Sequence, residues 1–149
     1  MPWDKNATDP IEWAARMKKA PRDTISRFAF SIFNRVVMRT PVDTGACRQN
    51  WLVTINSETH NFDPNKTGGS VVTDGVAVIE SAKGDDKIII QNNAPYARKL
   101  EFGGYGTKKG KKVTEEGFSK QAPHGMVGVT IAKADQLWDA AARAAQGNL

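Results

Sequence analysis

The chain has 149 residues, 40% hydrophobic and 25% charged, and this size and composition predict one globular domain spanning residues 1–149. No apolar run approaches the roughly 18 residues of a membrane span, and the N-terminus lacks the pattern of a secretory signal, so we expect a protein made in the cytosol with no membrane contact. The single cysteine, Cys47, excludes an intramolecular disulfide and a cysteine-based zinc site, and we expect it to be a small packing residue.

The net charge of +5 is unevenly distributed along the chain. Residues 1–50 and residues 98–120 each carry +4, residues 51–97 carry −3, and the remainder is neutral. Such asymmetry fits contact with nucleic acid or with an acidic neighbouring subunit, although a solvated surface is the commoner explanation of any one charge run.

Two helices are predicted before residue 40. Asp9–Pro10 is typical of a helix start, and the pattern after it predicts a short helix to about Ala20. Pro21 ends that helix, and Asp23 or Thr24 can cap a second, longer one. The apolar face of the second helix recurs at intervals of three and four residues and comprises Ile25, Phe28, Ala29, Ile32, Phe33, Val36 and Val37.

A turn braced by side chains follows the second helix. Its residues are Thr40, Pro41, Val42, Asp43, Thr44 and Gly45. Pro41 disfavours a helical residue before it, so the helix should end by about Arg39. Asp43 and Thr44 can bond nearby backbone amides, and Gly45 can adopt positive φ without steric cost. Asp43 could instead be a metal ligand or general base, but no second carboxylate or histidine lies nearby, so we favour the structural interpretation.

A strand and a long loop come next. Alternation of Trp51, Val53 and Ile55 with Leu52, Thr54 and Asn56 predicts a strand over residues 51–56. Turn-forming residues with few apolar neighbours then predict a loop over residues 57–70.

Residues 71–82 suit a brief helix capped by Thr73 or Asp74, although their β-branched content keeps a strand open as the alternative. Residues 87–91 predict a second strand, and apolar residues on both of its faces indicate a buried central position.

The C-terminal third is predicted to hold two helical segments and a loop. Asn93 is expected to cap a short helix that ends at Gly103–Gly104, and residues 103–120 are expected to form a mobile loop. The last segment predicts a helix with an apolar stripe, but the alternation of Val127, Val129 and Ile131 leaves an extended beginning open. That stripe comprises Val127, Ile131, Ala134, Trp138 and Ala141.

Few residues suggest chemistry. Gly104–Lys112 fails as a phosphate-binding loop because the glycine spacing is wrong, no Ser or Thr follows the lysine, and no buried strand precedes it. His60 and His124 lie in separate predicted loops without metal-ligand spacing, so we interpret both as surface residues. Asp85–Asp86 and Glu115–Glu116 are adjacent carboxylates without acid–base geometry. We assign no catalytic, cofactor-binding or metal-binding residue.

Three motifs together resemble the neck, or head-to-tail joining, proteins of lambda-like long-tailed bacteriophages. They are Thr40–Trp51, Asn92–Gly104 and, more weakly, Gln121–Met126, in this order along the chain. Such families place an arginine directly after the turn glycine, whereas here Ala46 and Cys47 precede Arg48. Within the second motif, the resemblance singles out Asn93, Pro95, Tyr96, Leu100, Glu101, Phe102 and Gly103. From the sequence, Glu101 could be a surface carboxylate or a member of a defined salt bridge.

The resemblance implies a structural virion protein without enzymatic activity or cofactor, which assembles with copies of itself into a hexamer-like ring. Its partners would be the head-closure or connector protein and the tail-terminator protein. A tail-terminating or tail-completion ring is the first alternative. A DNA-binding accessory module is the second, and it would use a basic loop formed by Lys108, Lys109, Lys111 and Lys112.

The predicted fold class is α+β. We expect a small, mainly antiparallel sheet made from the strands at 51–56 and 87–91, packed by the long N-terminal and C-terminal helices.

Overall fold

The computed structural model describes residues 22–42, 45–105 and 113–146. Within them, six helices and two strands confirm the predicted α+β class. In chain order they are α1 (Arg22–Arg39), α2 (Ala46–Gln49), β1 (Trp51–Ile55), α3 (Val71–Ser81), β2 (Ile88–Asn92), α4 (Ala97–Phe102), α5 (Val127–Ile131) and α6 (Ala134–Gln146). The helix predicted between Asp9 and Ala20 lies outside the described residues.

Helix α1 ends at Arg39, as the position of Pro41 predicts. Its beginning differs from the prediction, because Asp23 and Thr24 lie inside the helix. The Asp23 carboxylate instead accepts a hydrogen bond of 3.1 Å from Arg27, one turn later, and Thr24 is buried.

The centre of the packing is α1. Helices α3 and α6 both pack against it, and the Phe33 ring is fully buried. Gly75 of α3 lies so close to that ring that a Cβ atom there would come within 2.6 Å of Phe33 Cζ. The absence of a side chain at Gly75 therefore allows α3 to approach α1. The other buried apolar residues of α1 are Ala29, Ile32, Val36 and Val37.

The sheet is a single antiparallel pair, in which Trp51 lies opposite Asn92 and Ile55 lies opposite Ile88. Helix α3 packs against β1. The predicted central, buried position of the second strand is wrong, because the described residues contain no third strand beside it and every residue of β2 is only half-buried. The apolar run Ile88–Ile90 thus packs partly against the core and partly borders the surface.

The helix predicted within residues 71–82 is present as α3, and the strand alternative is wrong. The helix begins earlier than predicted, with Ser70 at its N-cap position, so neither Thr73 nor Asp74 is the cap. Its β-branched residues are accommodated because Val71 and Ile79 are buried in the core, where packing outweighs their weak helix propensity. Residues 57–70 contain no helix or strand, as predicted.

The C-terminal segment is helical from its start, so the extended alternative is wrong. A turn at Ala132 and Lys133 separates α5 from α6 and changes the helical phase. As a result, Trp138 and Ala141 are buried as predicted, whereas Val127 and Ile131 are exposed. Helix α6 packs mainly along α1, and Trp138 makes an edge-on contact with Phe28 at 5.2 Å between ring centroids.

The described ends of the 103–120 loop are joined by backbone hydrogen bonds. Gly104 and Tyr105 donate to the carbonyl of Gly117 at 3.1 and 3.0 Å. The Phe118 ring would lie 3.1 Å from a Cβ at Gly103, so the loop ends bury more than the sequence suggests. No helix in the described part of the chain is long and apolar enough to cross a membrane.

Candidate functional site

Thr40 closes the corner between α1 and β1. Its buried hydroxyl donates to the Val36 carbonyl at 2.6 Å and accepts from the Trp51 indole Nε1 at 2.6 Å. The hydroxyl therefore donates one hydrogen bond and accepts another, and these two bonds connect the last turn of the helix to the first residue of the strand. This explains why the motif pairs Thr40 with Trp51.

Arg48 completes the end of α1. Its Nη2 atom donates to the carbonyl of Thr40 at 2.9 Å and to that of Met38 at 3.2 Å. These carbonyls lie at the C-terminal end of the helix, where a positive charge is favourable. Ala46 and Cys47 separate Arg48 from the turn glycine. These three residues form part of α2, and this helix places Arg48 beside the end of α1.

The turn itself depends on Gly45. Its φ is 91°, the left-handed conformation that the sequence predicts. A Cβ atom there would also collide with the backbone carbonyl oxygen of Thr67, so the glycine allows the loop to pass directly over the turn. Asp43 and Thr44, the predicted side-chain braces, lie outside the described residues.

The side chain of Asn92 binds the second motif to the first, and that of Asn93 binds it to the 57–70 loop. The Asn92 amide donates to the Cys47 carbonyl at 2.8 Å, while its oxygen accepts from the Ala94 backbone N–H at 3.0 Å. Asn93 donates to the carbonyls of Thr59 and Asn61, both at 2.9 Å. The predicted role of Asn93 as a helix cap is therefore wrong, because its side chain is used to hold the 57–70 loop.

The short helix of the second motif begins later than predicted. It starts after Tyr96, which is at the N-cap position, and it ends before Gly103, whose φ is 78°. Leu100 is buried in the core, whereas Pro95, Tyr96 and Phe102 are exposed. The Tyr96 ring meets Phe62 edge-on at 6.4 Å. Tyr96 and Leu100 thus have different environments although they are four residues apart.

Glu101 has a role that its neighbours in sequence do not indicate. Its carboxylate accepts hydrogen bonds from the backbone N–H groups of Met126, Val127 and Gly128, an arrangement that neither sequence interpretation included. The distances to its nearer oxygens are 3.1, 2.7 and 2.9 Å. Glu101 therefore caps the N-terminus of α5 from another part of the chain, where a negative charge is favourable.

Gly125 makes this cap possible. Its φ is 81°, and a Cβ atom there would lie 2.6 Å from the Glu101 carbonyl oxygen and 2.8 Å from its carboxylate. Only a glycine therefore leaves room for the carboxylate beside the start of α5.

The third motif also contacts the first. The Gln121 side-chain oxygen accepts from the Val42 backbone N–H at 2.9 Å, and Met126 at the other end of the motif is buried in the core. The three motifs, separated by tens of residues in sequence, thus meet in one region, which we call the motif junction: Thr40–Trp51, Asn92–Gly104 and Gln121–Met126. The four lysines of the basic loop, Lys108, Lys109, Lys111 and Lys112, lie outside the described residues.

Two titratable side chains near the junction, those of Cys47 and Tyr105, have a pKa that burial raises. Burial raises the pKa of the Cys47 thiol to about 11, and a hydrogen bond from Asn92 offsets only part of that effect. Burial also raises the pKa of Tyr105. Both groups are therefore protonated at neutral pH. In residues 22–42, 45–105 and 113–146, no group of three or more His, Cys, Asp or Glu residues could hold a metal ion.

Comparisons with protein-family profiles, with curated proteins and with solved structures give no match. The motif junction is therefore interpreted from its own geometry. Several of its polar side chains, including those of Thr40, Asn92 and Glu101, join helices, strands and loops, while its exposed residues include Phe102 together with Arg98 and Lys99.

Proposed function

We propose that this chain is a structural subunit of the neck of a tailed bacteriophage, which forms a ring that joins the head-closure layer to the tail. The observation that supports the proposal is the meeting of the three resembling motifs at one junction. Segments up to about eighty residues apart are bound there by side chains from the motifs themselves, including Thr40, Glu101 and Gln121. A shared structural role accounts for the order and spacing of these motifs.

The chemistry of the junction supports a structural role. The oxygens of Glu101 and the hydroxyl of Thr40 are already hydrogen-bonded within the fold. The side chains that remain available to a partner include the apolar Phe102, exposed by 70%, and the basic Arg98 and Lys99, while Met38, just before the junction, is exposed by 60%. Where apolar side chains of this size lie together, they mark contact surfaces between proteins.

In this proposal the partners are other copies of the chain, in a hexamer-like ring, together with the head-closure or connector protein and the tail-terminator protein. The protein would reside in the host cytoplasm before assembly and in the virion afterwards. Ring contacts would offset the entropic cost of ordering the loops that join the layers.

Deletion of the gene from the phage tests the proposal. A neck subunit is required after the head and tail have each been completed, so full heads and tails of normal length should accumulate unjoined. The alternative, a tail-terminating ring, stops growth of the tail tube, and its loss should give tails of abnormal length. Joined particles of normal infectivity without this chain would contradict both interpretations.

A second candidate function is DNA binding, which the concentration of lysines favours. Residues 98–120 carry +4, and four lysines lie within five positions: Lys108, Lys109, Lys111 and Lys112. Binding through phosphates would be weakened steeply by salt, which a mobility-shift titration measures. Replacement of all four lysines by Ser should abolish such binding with little change in thermal stability.

In the neck interpretation the same variant should join fewer heads to tails, because the lysines would face DNA or an acidic neighbour. Normal joining at normal stability would show that the loop is dispensable.

A further inference from the structure

Five of the large apolar side chains that remain exposed lie on segments around the motif junction. We call them the apolar patch: Met38, Val42, Phe102, Val127 and Ile131, with exposures of 60, 43, 70, 37 and 52%. The segments are joined by hydrogen bonds from Val42 to Gln121 and from Val127 to Glu101, the neighbour of Phe102. Helix α1, which carries Met38, packs against α5. The side chains of the patch are therefore carried by segments that are bound to one another in the fold.

The segments that carry the apolar patch are basic. Residues 35–42, 97–102 and 127–133 contain five Lys or Arg residues and one acidic residue, Glu101. The charge of Glu101 is already used by the N–H groups of α5. The Arg98 guanidinium lies 5.4 Å from the centroid of the Phe102 ring, beside the most exposed side chain of the patch. An occupant should therefore combine an apolar centre with carboxylates around it.

The outer face of α3 has this complementary character. Ala77 is exposed and lies three residues from Asp74 on one side and three residues from Glu80 on the other, both also exposed. Residues at these spacings are neighbours on a helix surface. Residues 71–86 as a whole contain four acidic residues and one basic residue, Lys83.

Building on the proposed ring function, we propose that the apolar patch of one copy docks on the outer face of α3 in the next copy. The apolar side chains around Phe102 contact Ala77, and Arg98 faces the carboxylates of Asp74 and Glu80. Because the two surfaces differ, the contact is head-to-tail, and each copy offers one of each. Repetition of such a contact generates a ring when the rotation between copies closes. The charges set the register of the contact, and burial of the patch supplies its stability.

Disulfide trapping tests the contact directly. The native thiol, Cys47, is buried, so cross-links report engineered cysteines. Under mild oxidation, a mixture of the single variants Phe102→Cys and Ala77→Cys should give a covalent dimer, and the double variant should give a ladder of oligomers. Each single variant alone should give no covalent dimer. Arg143→Cys, at an exposed position on α6, mixed with Ala77→Cys is the matched control. Cross-linking no greater than in that control, or dimers from Phe102→Cys alone, would overturn the head-to-tail contact.

A charge exchange tests the register. Arg98→Glu and Glu80→Lys should each weaken self-association about tenfold, measured by sedimentation, and the double variant should restore it. Arg143→Glu is the control for charge reversal elsewhere on the surface, and thermal melting verifies that every variant is folded. Unchanged association in both single variants, with the chain still located in the neck, would refute this surface and leave the ring function standing. A cross-linked ladder from a chain absent from the neck would retain the contact and refute the function.

Discussion

Replacement of Glu101 by Ala should destabilise the protein by about 2 kcal/mol. Loss of an N-terminal cap typically costs about 0.5–2 kcal/mol, and hydrogen bonds to a charged acceptor lie at the strong end of the range. Water can replace the carboxylate at Val127 and Gly128, which are exposed, but the N–H of Met126 is partly buried and would be left without its partner. The expected cost is therefore near the upper end of the capping range. Glu101→Gln keeps one acceptor oxygen but loses the charge, so it should cost about 1 kcal/mol.

Thermal unfolding by circular dichroism measures this effect. For a chain of this length, about 2 kcal/mol corresponds to a fall in Tm of roughly 6–8 °C. Glu116→Ala is the matched control, because Glu116 is an exposed carboxylate in the turn between Val113 and Ser119. If Glu101→Ala and Glu116→Ala shift the Tm equally, Glu101 does not hold α5 in place and the motif junction is not the structural unit described above.

Three further changes probe the region around the turn. Gly45→Val should lower the free energy of unfolding, measured by urea titration, by about 3 kcal/mol, because a side chain there would be strained at φ 91° and would meet the carbonyl of Thr67. Gly68→Val, at a position in open space, is the control and should cost far less in the same titration. Arg48→Met should cost about 1–2 kcal/mol in that titration through loss of its bonds to the end of α1, and an unchanged midpoint would contradict that role. Burial raises the pKa of the Cys47 thiol from 9.0 to about 11, so this thiol ionises at lower pH in the unfolded chain than in the folded one. Relative to Cys47→Ala, the free energy of unfolding should be fully retained below about pH 9 and should fall between pH 9 and pH 11. Parallel pH profiles of the two proteins would refute this burial effect.

Local rules predicted those features that nearby residues determine. Pro41 ends α1 at Arg39 whatever the rest of the chain does, and Gly45 has the positive φ that its position in the turn requires. Trp51 opens β1 because the alternation of apolar residues that follows it fits a half-buried strand. The α+β class follows from the same patterns.

Features that depend on distant partners could not be predicted in this way. Glu101 and the N–H groups it caps are about twenty-five residues apart, and no local pattern indicates that they meet. Asn93 resembles a cap by its position before a short helix, yet its amide binds carbonyls more than thirty residues earlier. The break at Ala132 changes the phase of the last helix. The predicted stripe assumed one continuous helix from Val127, and Val127 is therefore exposed although the stripe predicted it to be buried.

The same limit applies to the candidate site. The motifs were recognisable separately, but their meeting depends on side-chain contacts across the fold, made by Asn92, Glu101 and Gln121. The exposure of the apolar patch could likewise not be predicted from the sequence, because Val127 and Ile131 have the spacing of a buried helical face.

Location of the chain in the assembled phage particle tests the central claim most directly. An electron cryo-microscopy reconstruction of the particle, with this chain identified by fitting α1, α6 and the β1–β2 pair into the density, would show where it lies. The proposed function predicts a closed ring of copies between the head-closure layer and the tail. Density for the chain only at the end of the tail tube, or no density for it in the particle at all, would contradict the account.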